Sequence, residues 1–181
     1  MLFLRTSRRC FAKAFKAFAT GAACLLFCLT TQADAPLSKE DKLKAAYLLN
    51  FTRFIEWPES DADEPQKTIR ICVASSPKFL AFLNEMARNV RVGKRQRLVT
   101  ALPLSTAEQC EVVYTRQSGT VNNEKLHHAV VVVDSAEVEF PSTSIVFYEK
   151  NKKLRFEIDR DNITKTQVVV SSELLKLAKI K

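Results

Sequence analysis

From Ser38 onward the apolar positions fall into blocks whose spacing switches between helical and extended periods. Ser38-Lys-Glu-Asp41 resembles a capping box with Asp in place of Glu. Leu43, Ala46, Tyr47, Phe51, Phe54 and Ile55 then follow at helical spacing, which predicts a helix to about Glu56. Trp57-Pro58 ends it, because a residue before proline avoids the α region, and acidic Glu59 to Gln66 reads as a surface loop. Thr68 to Ala74 predicts a strand, Pro77 to Arg88 a helix and Arg97 to Leu104 a second strand, a β-α-β pattern.

Glu111 to Thr115 predicts a third strand and Asn122 to His128 a turn or short helix. Ala129 to Asp134 predicts a central strand, its four consecutive valines implying burial on both faces. Ser144 to Tyr148 and Lys153 to Ile158 alternate apolar with polar residues around Glu149-Lys-Asn-Lys152, the pattern of a hairpin at a sheet edge. A short helix or turn over Asp159 to Thr166, an extended segment over Gln167 to Ser171 and a last helix capped by Ser172 complete the series. No repeat or linker divides it. The expected fold is a single α/β domain with a mixed β-sheet of about six strands packed with helices.

The residues before this domain change the picture. Arg5, Arg8, Arg9, Lys13 and Lys16 occur without an acid, an apolar run follows from Phe18 to Leu29, and Thr31-Gln32-Ala33 offers small residues for cleavage. The run is shorter than the roughly 20 residues of a permanent span, so residues 1–33 read as a cleaved signal peptide and 34–181 as an exported domain with no direct membrane insertion. Lipidation at Cys24 would strand Leu25 to Leu29 on the mature terminus, which disfavours it. Cleavage removes five of the 28 Lys and Arg and none of the 20 Asp and Glu, leaving a net charge of +3. Most of the basicity goes with the leader. Arg88 to Arg97 stays locally basic and reads as a solvated turn; without interleaved aromatics, and in an exported chain, nucleic-acid binding is disfavoured.

Of five cysteines the mature chain keeps Cys72 and Cys110, in a compartment where disulfides persist. One intramolecular bridge is expected, worth about 4 kcal/mol in the chain-entropy model; two separated thiols are the alternative. A domain of this size buries about two-thirds of its unfolded surface, so it can tolerate reduction.

Candidate chemistry is sparse. Gly93 and Gly119 are the only glycines after the leader, which removes phosphate-cradling and dinucleotide fingerprints, and hydrolase motifs are missing. His127-His128 lacks a third ligand nearby, and Cys72 between Ile71 and Val73 lacks an electropositive setting. The acids Glu56, Glu59, Asp61, Asp63 and Glu64 read as a solvated loop, and Asp159 and Asp161 as turn residues. The residues give no catalytic site, no metal site and no cofactor, so the expectation is a protein that is not an enzyme.

Lys42 to Pro58, Ile69-Arg-Ile-Cys-Val73, Cys110-Glu-Val-Val113, Leu154 to Asp159 and Ser171 to Ala178 together resemble the YfiR-like periplasmic proteins. The resemblance implies a regulator that binds the periplasmic part of an inner-membrane diguanylate cyclase and holds it inactive, lowering cyclic-di-GMP and biofilm formation. It also implies that Cys72 and Cys110 match the family's redox-sensitive bridge. A second cysteine pair found in other members near the hairpin is absent, Ile145 and Lys152 standing thereabouts. The expected partners are that cyclase domain and a second copy of the chain as a homodimer. Phe140, Tyr148 and Phe156 are weak candidates for partner binding, since each also suits the core. A periplasmic small-ligand sensor is the alternative function.

Overall fold

Ser38 starts the first helix, α1 (Lys39–Phe54), by accepting a hydrogen bond on its hydroxyl from the Asp41 amide at 3.0 Å. The computed structural model describes residues 36–58, 68–119 and 128–181. The leader, its cleavage point, the Glu59 to Gln66 loop with its acids, and the Asn122 to His128 segment up to His127 lie outside them. α1 buries Lys44, Ala45, Leu48, Leu49, Phe51 and Thr52, whereas Leu43 and Phe54 are exposed. The buried stripe is therefore rotated from the expected one and contains a lysine.

The helix also stops earlier than its apolar spacing predicts. Ile55–Glu56 forms a short strand, β1, and pairs antiparallel with a later segment. β-branched Ile55 suits extended backbone, Pro58 bars Trp57 from continuing the helix, and the Ser171 amide bonds the Phe54 carbonyl at 2.9 Å.

The main sheet is built on β2 (Thr68–Ala74), β4 (Arg97–Pro103), β5 (Val112–Thr115), β6 (Val130–Val133), β7 (Thr143–Lys150) and β8 (Lys153–Ile158). Helix α2 (Pro77–Ala87), N-capped by Ser76, carries the β-α-β crossover from β2 to β4. Two two-residue strands, β3 (Arg91–Val92) and β10 (Lys179–Ile180), raise the count to eight, in the order β10-β8-β7-β6-β5-β2-β4-β3. They escape sequence reading because two residues carry no periodicity. β4, β2, β5, β6 and β7 run parallel, β8 is antiparallel to β7 and β3 to β4, and β10 runs parallel to β8. Beyond β8 lie α3 (Arg160–Lys165), β9 (Val169–Val170), which pairs with β1, and α4 (Ser172–Leu177).

The sheet is mixed, and β6 is central. Val130 and Val132 belong to a large core on one face, with Leu48 and Phe51 of α1, Phe79 and Leu83 of α2, Ile163 of α3 and Leu174 of α4. Val131 and Val133 belong to a smaller cluster on the other, with Cys72, Cys110, Val113 and Ala129. The β7–β8 hairpin lies near one edge, but β10 pairs with Glu157 and Ile158 and is outermost. At the opposite edge Asn84 stands in for a strand, donating to the Ala101 carbonyl and accepting from its amide, both at 2.9 Å.

Asn151 and Lys152 form the two-residue hairpin loop with φ of 54° and 58°, the left-handed backbone of a type I′ turn. Asn tolerates that region, whereas Lys is strained in it. Lys152→Gly is expected to raise stability by about 1 kcal/mol, read as a higher urea midpoint at unchanged m-value.

Candidate functional site

The carboxyl ends of β5 and β6 are where charge collects. Asp134 follows the last valine of β6, Arg116 follows β5, and the N-terminal half of α1 brings Glu40, Asp41 and Lys44 over them. Lys44 is only 3% exposed. Its Nζ donates to Asp134 Oδ1 at 2.8 Å and lies 2.7 Å from Glu40. Arg116 Nε donates to the same Oδ1 at 3.1 Å, and its other arm pairs with Asp41. The fully buried Tyr114 donates its hydroxyl to Asp134 as well.

Aromatic rings form the floor. The Arg116 guanidinium lies 5.6 Å from the Phe79 ring centre, and Lys44 Nζ 6.0 Å from that of Phe147. Phe79 stacks on Tyr114 at 5.0 Å, and Phe51 meets Phe156 edge-on at 5.2 Å. Burial alone would raise the Asp134 carboxyl, but hydrogen bonds from Lys44 and Tyr114 and the nearby Arg116 outweigh it and hold the group below the usual carboxylate range. Burial and the Asp134 hydrogen bond push the Tyr114 hydroxyl well up, so it stays a donor. The arrangement is a clasp: two cations and a phenol close on one carboxylate and lock α1 to the strand ends.

On the opposite face Cys72 of β2 and Cys110, just before β5, are joined by a disulfide with Cα atoms 5.8 Å apart. Two residues back along β2, Arg70 grips Glu111 with both arms, Nη2 to Oε1 at 2.8 Å and Nε to Oε2 at 3.2 Å. Phe140 is half-buried against this cluster. Phe156 is 1% exposed within the aromatic core, whereas Tyr148 is half-buried on the outer face of the hairpin beside Arg155. The structure thus brings the two cysteines together but does not join Phe140, Tyr148 and Phe156 into one patch, Phe156 being buried in the core. His128 is exposed, and among the described residues no group of three His, Cys, Asp or Glu could hold a metal. Nor is any helix among them long and apolar enough to cross a membrane.

Sequence reading missed the clasp. Its signal is Lys44 at helical spacing to Leu48 and Phe51, since a charge within an apolar stripe demands a buried counter-ion, and an acid directly after Val130 to Val133 is the natural one. Such pairing joins residues 90 positions apart, which spacing alone cannot supply.

The model of the YfiR/HmsC-like family matches residues 41–179, from α1 to β10. The chain belongs to that family. No curated protein matches it. YfiR/HmsC-like proteins are periplasmic regulators of diguanylate cyclase signalling rather than enzymes, so this YfiR/HmsC-like domain is a signalling module. The match takes in both the clasp and the bridge.

Asp134→Ala leaves Lys44 and Arg116 without their shared carboxylate and is expected to cost about 3 kcal/mol in urea unfolding. Because the folded carboxyl titrates below its ordinary 3.8, the folded state binds fewer protons than the unfolded one. Its contribution is present above that value and lost as pH falls through the folded one, so wild type loses stability from about pH 4 downward and Asp134→Asn loses less. Reduction, or Cys72→Ala with Cys110→Ala, lowers stability by about 4 kcal/mol yet leaves a cooperative transition, because the larger core contains neither cysteine.

Proposed function

We propose that this protein is a periplasmic repressor that binds the periplasmic part of an inner-membrane diguanylate cyclase and holds it in an inactive conformation. The observation that carries this reading is a family match reaching across the whole α/β domain, from residue 41 to residue 179. Such a regulator acts by preferring one conformation of its partner, and moving a cyclase from mostly active to mostly inactive takes roughly 5 kcal/mol of differential affinity. A rigid binding surface serves that purpose, and the clasp supports it by fixing α1 on the sheet. Reduction of Cys72 and Cys110 weakens repression in this proposal by loosening the start of β5 from β2. Self-association into a homodimer belongs to the same proposal and is read by sedimentation velocity on the mature chain.

The ligand-sensor reading is less well supported. Open α/β sheets receive small ligands outside the carboxyl ends of their strands, where the chain order changes direction. In this chain the order reverses between β2 and β5, and Arg116, at the carboxyl end of β5, is already engaged by Asp41 and Asp134. Deleting the gene is expected to raise cellular cyclic-di-GMP, and the exported protein supplied in trans to restore it. An unchanged level under conditions of expression overturns the repressor reading.

A further inference from the structure

The outer face of the β7–β8 hairpin holds an arrangement that costs the fold something. Lys150 and Lys153 are direct cross-strand partners, and Tyr148 and Arg155 are the next such pair. Like charges directly opposite one another destabilise a sheet. Neither lysine nor Arg155 has an ion-pair partner among the described residues, and the nearby Glu157 is held by Lys179.

These side chains line one groove of about 370 Å³ together with Leu177, which is 61% exposed, Ala178 and Lys179. The groove is therefore strongly cationic, with an apolar patch at Leu177 and Ala178. Next to it the outer edge of β8 is unpaired over part of its length. β10 covers only Glu157 and Ile158 of β8, while the backbone of residues 153–156 pairs with β7 alone among the described residues.

We infer that this groove binds an extended, acidic segment of a protein partner, in which acidic residues alternate with apolar ones. The acids lie against Lys150, Lys153 and Arg155, an apolar side chain lies against Leu177 and Tyr148, and the segment's backbone extends the sheet along β8. An unpaired strand edge favours a peptide over a lipid surface, which has no backbone to pair with it. The inference rests on the reading that the protein works by binding a protein, and it gives that partner's contact segment a charge and a shape.

The test uses the purified mature protein and a fluorescein-labelled synthetic peptide alternating glutamate and valine, followed by anisotropy. Wild type binds it, the binding weakens with salt, and a matched lysine-valine peptide does not bind. Lys153→Glu separates binding from folding, because it replaces a like-charge pair with an opposite one. Its unfolding midpoint is expected to rise while peptide affinity falls about tenfold. Equal binding by wild type and Lys153→Glu overturns the inference, as does binding of phosphatidylglycerol vesicles without binding of the peptide. In cells, a Lys153→Glu protein that restores cyclic-di-GMP as fully as wild type overturns the groove while leaving the repressor reading intact. Failure of wild type itself to restore the level, with the peptide still bound, overturns only the repressor reading.

Discussion

The parallel strands at the centre of the sheet must be covered on both faces, and that constraint shapes the molecule. Val130 to Val133 are each no more than 1% exposed, two facing each way. Each of the four α-helices among the described residues contributes buried residues to one of the two cores. Among the described residues the other face receives only a short 3-10 helix and loops, with Leu104, Ala107, Val138 and Phe140 half-covering a cluster that contains Cys72 and Cys110. A thin cover buries little apolar area and gives correspondingly little hydrophobic stabilisation. The covalent link lies on the side where packing has least to offer.

On the helical face the same sheet is held differently. Aromatic rings from α1, α2, β5, β7 and β8 interlock, and at the strand ends the polar atoms of Lys44, Tyr114 and Arg116 converge on Asp134. Buried charges are tolerated there because each has a partner of opposite sign at hydrogen-bonding distance. The clasp also fixes the direction in which α1 crosses the sheet, which apolar contact alone would specify loosely.

Much of this was legible in the chain because local rules and tertiary packing agree. Ser38 caps α1, Ser76 and Pro77 open α2, and the valines of β6 are buried as their run implies. The family resemblance, too, was carried by residues that lie in regular elements. What could not be read is what depends on distant pairing. Ile55–Glu56 looks helical until β9 is beside it, Lys44 looks misplaced until Asp134 is found, and β3 and β10 exist only through the strands they join. The hairpin groove likewise arises from cross-strand register, which sets side by side lysines that the sequence shows only as flanking a turn.

The double grip between β2 and the start of β5 has a consequence of its own. Cys72 bonds to Cys110 covalently, while Arg70 holds the very next residue, Glu111, through a two-armed ion pair and through its own backbone amide at 2.6 Å. A reductant attacks the first tether and leaves the second in place. The start of β5 is therefore held to β2 by two chemically unrelated links, one covalent and one ionic, so the order of this corner does not rest on apolar packing alone.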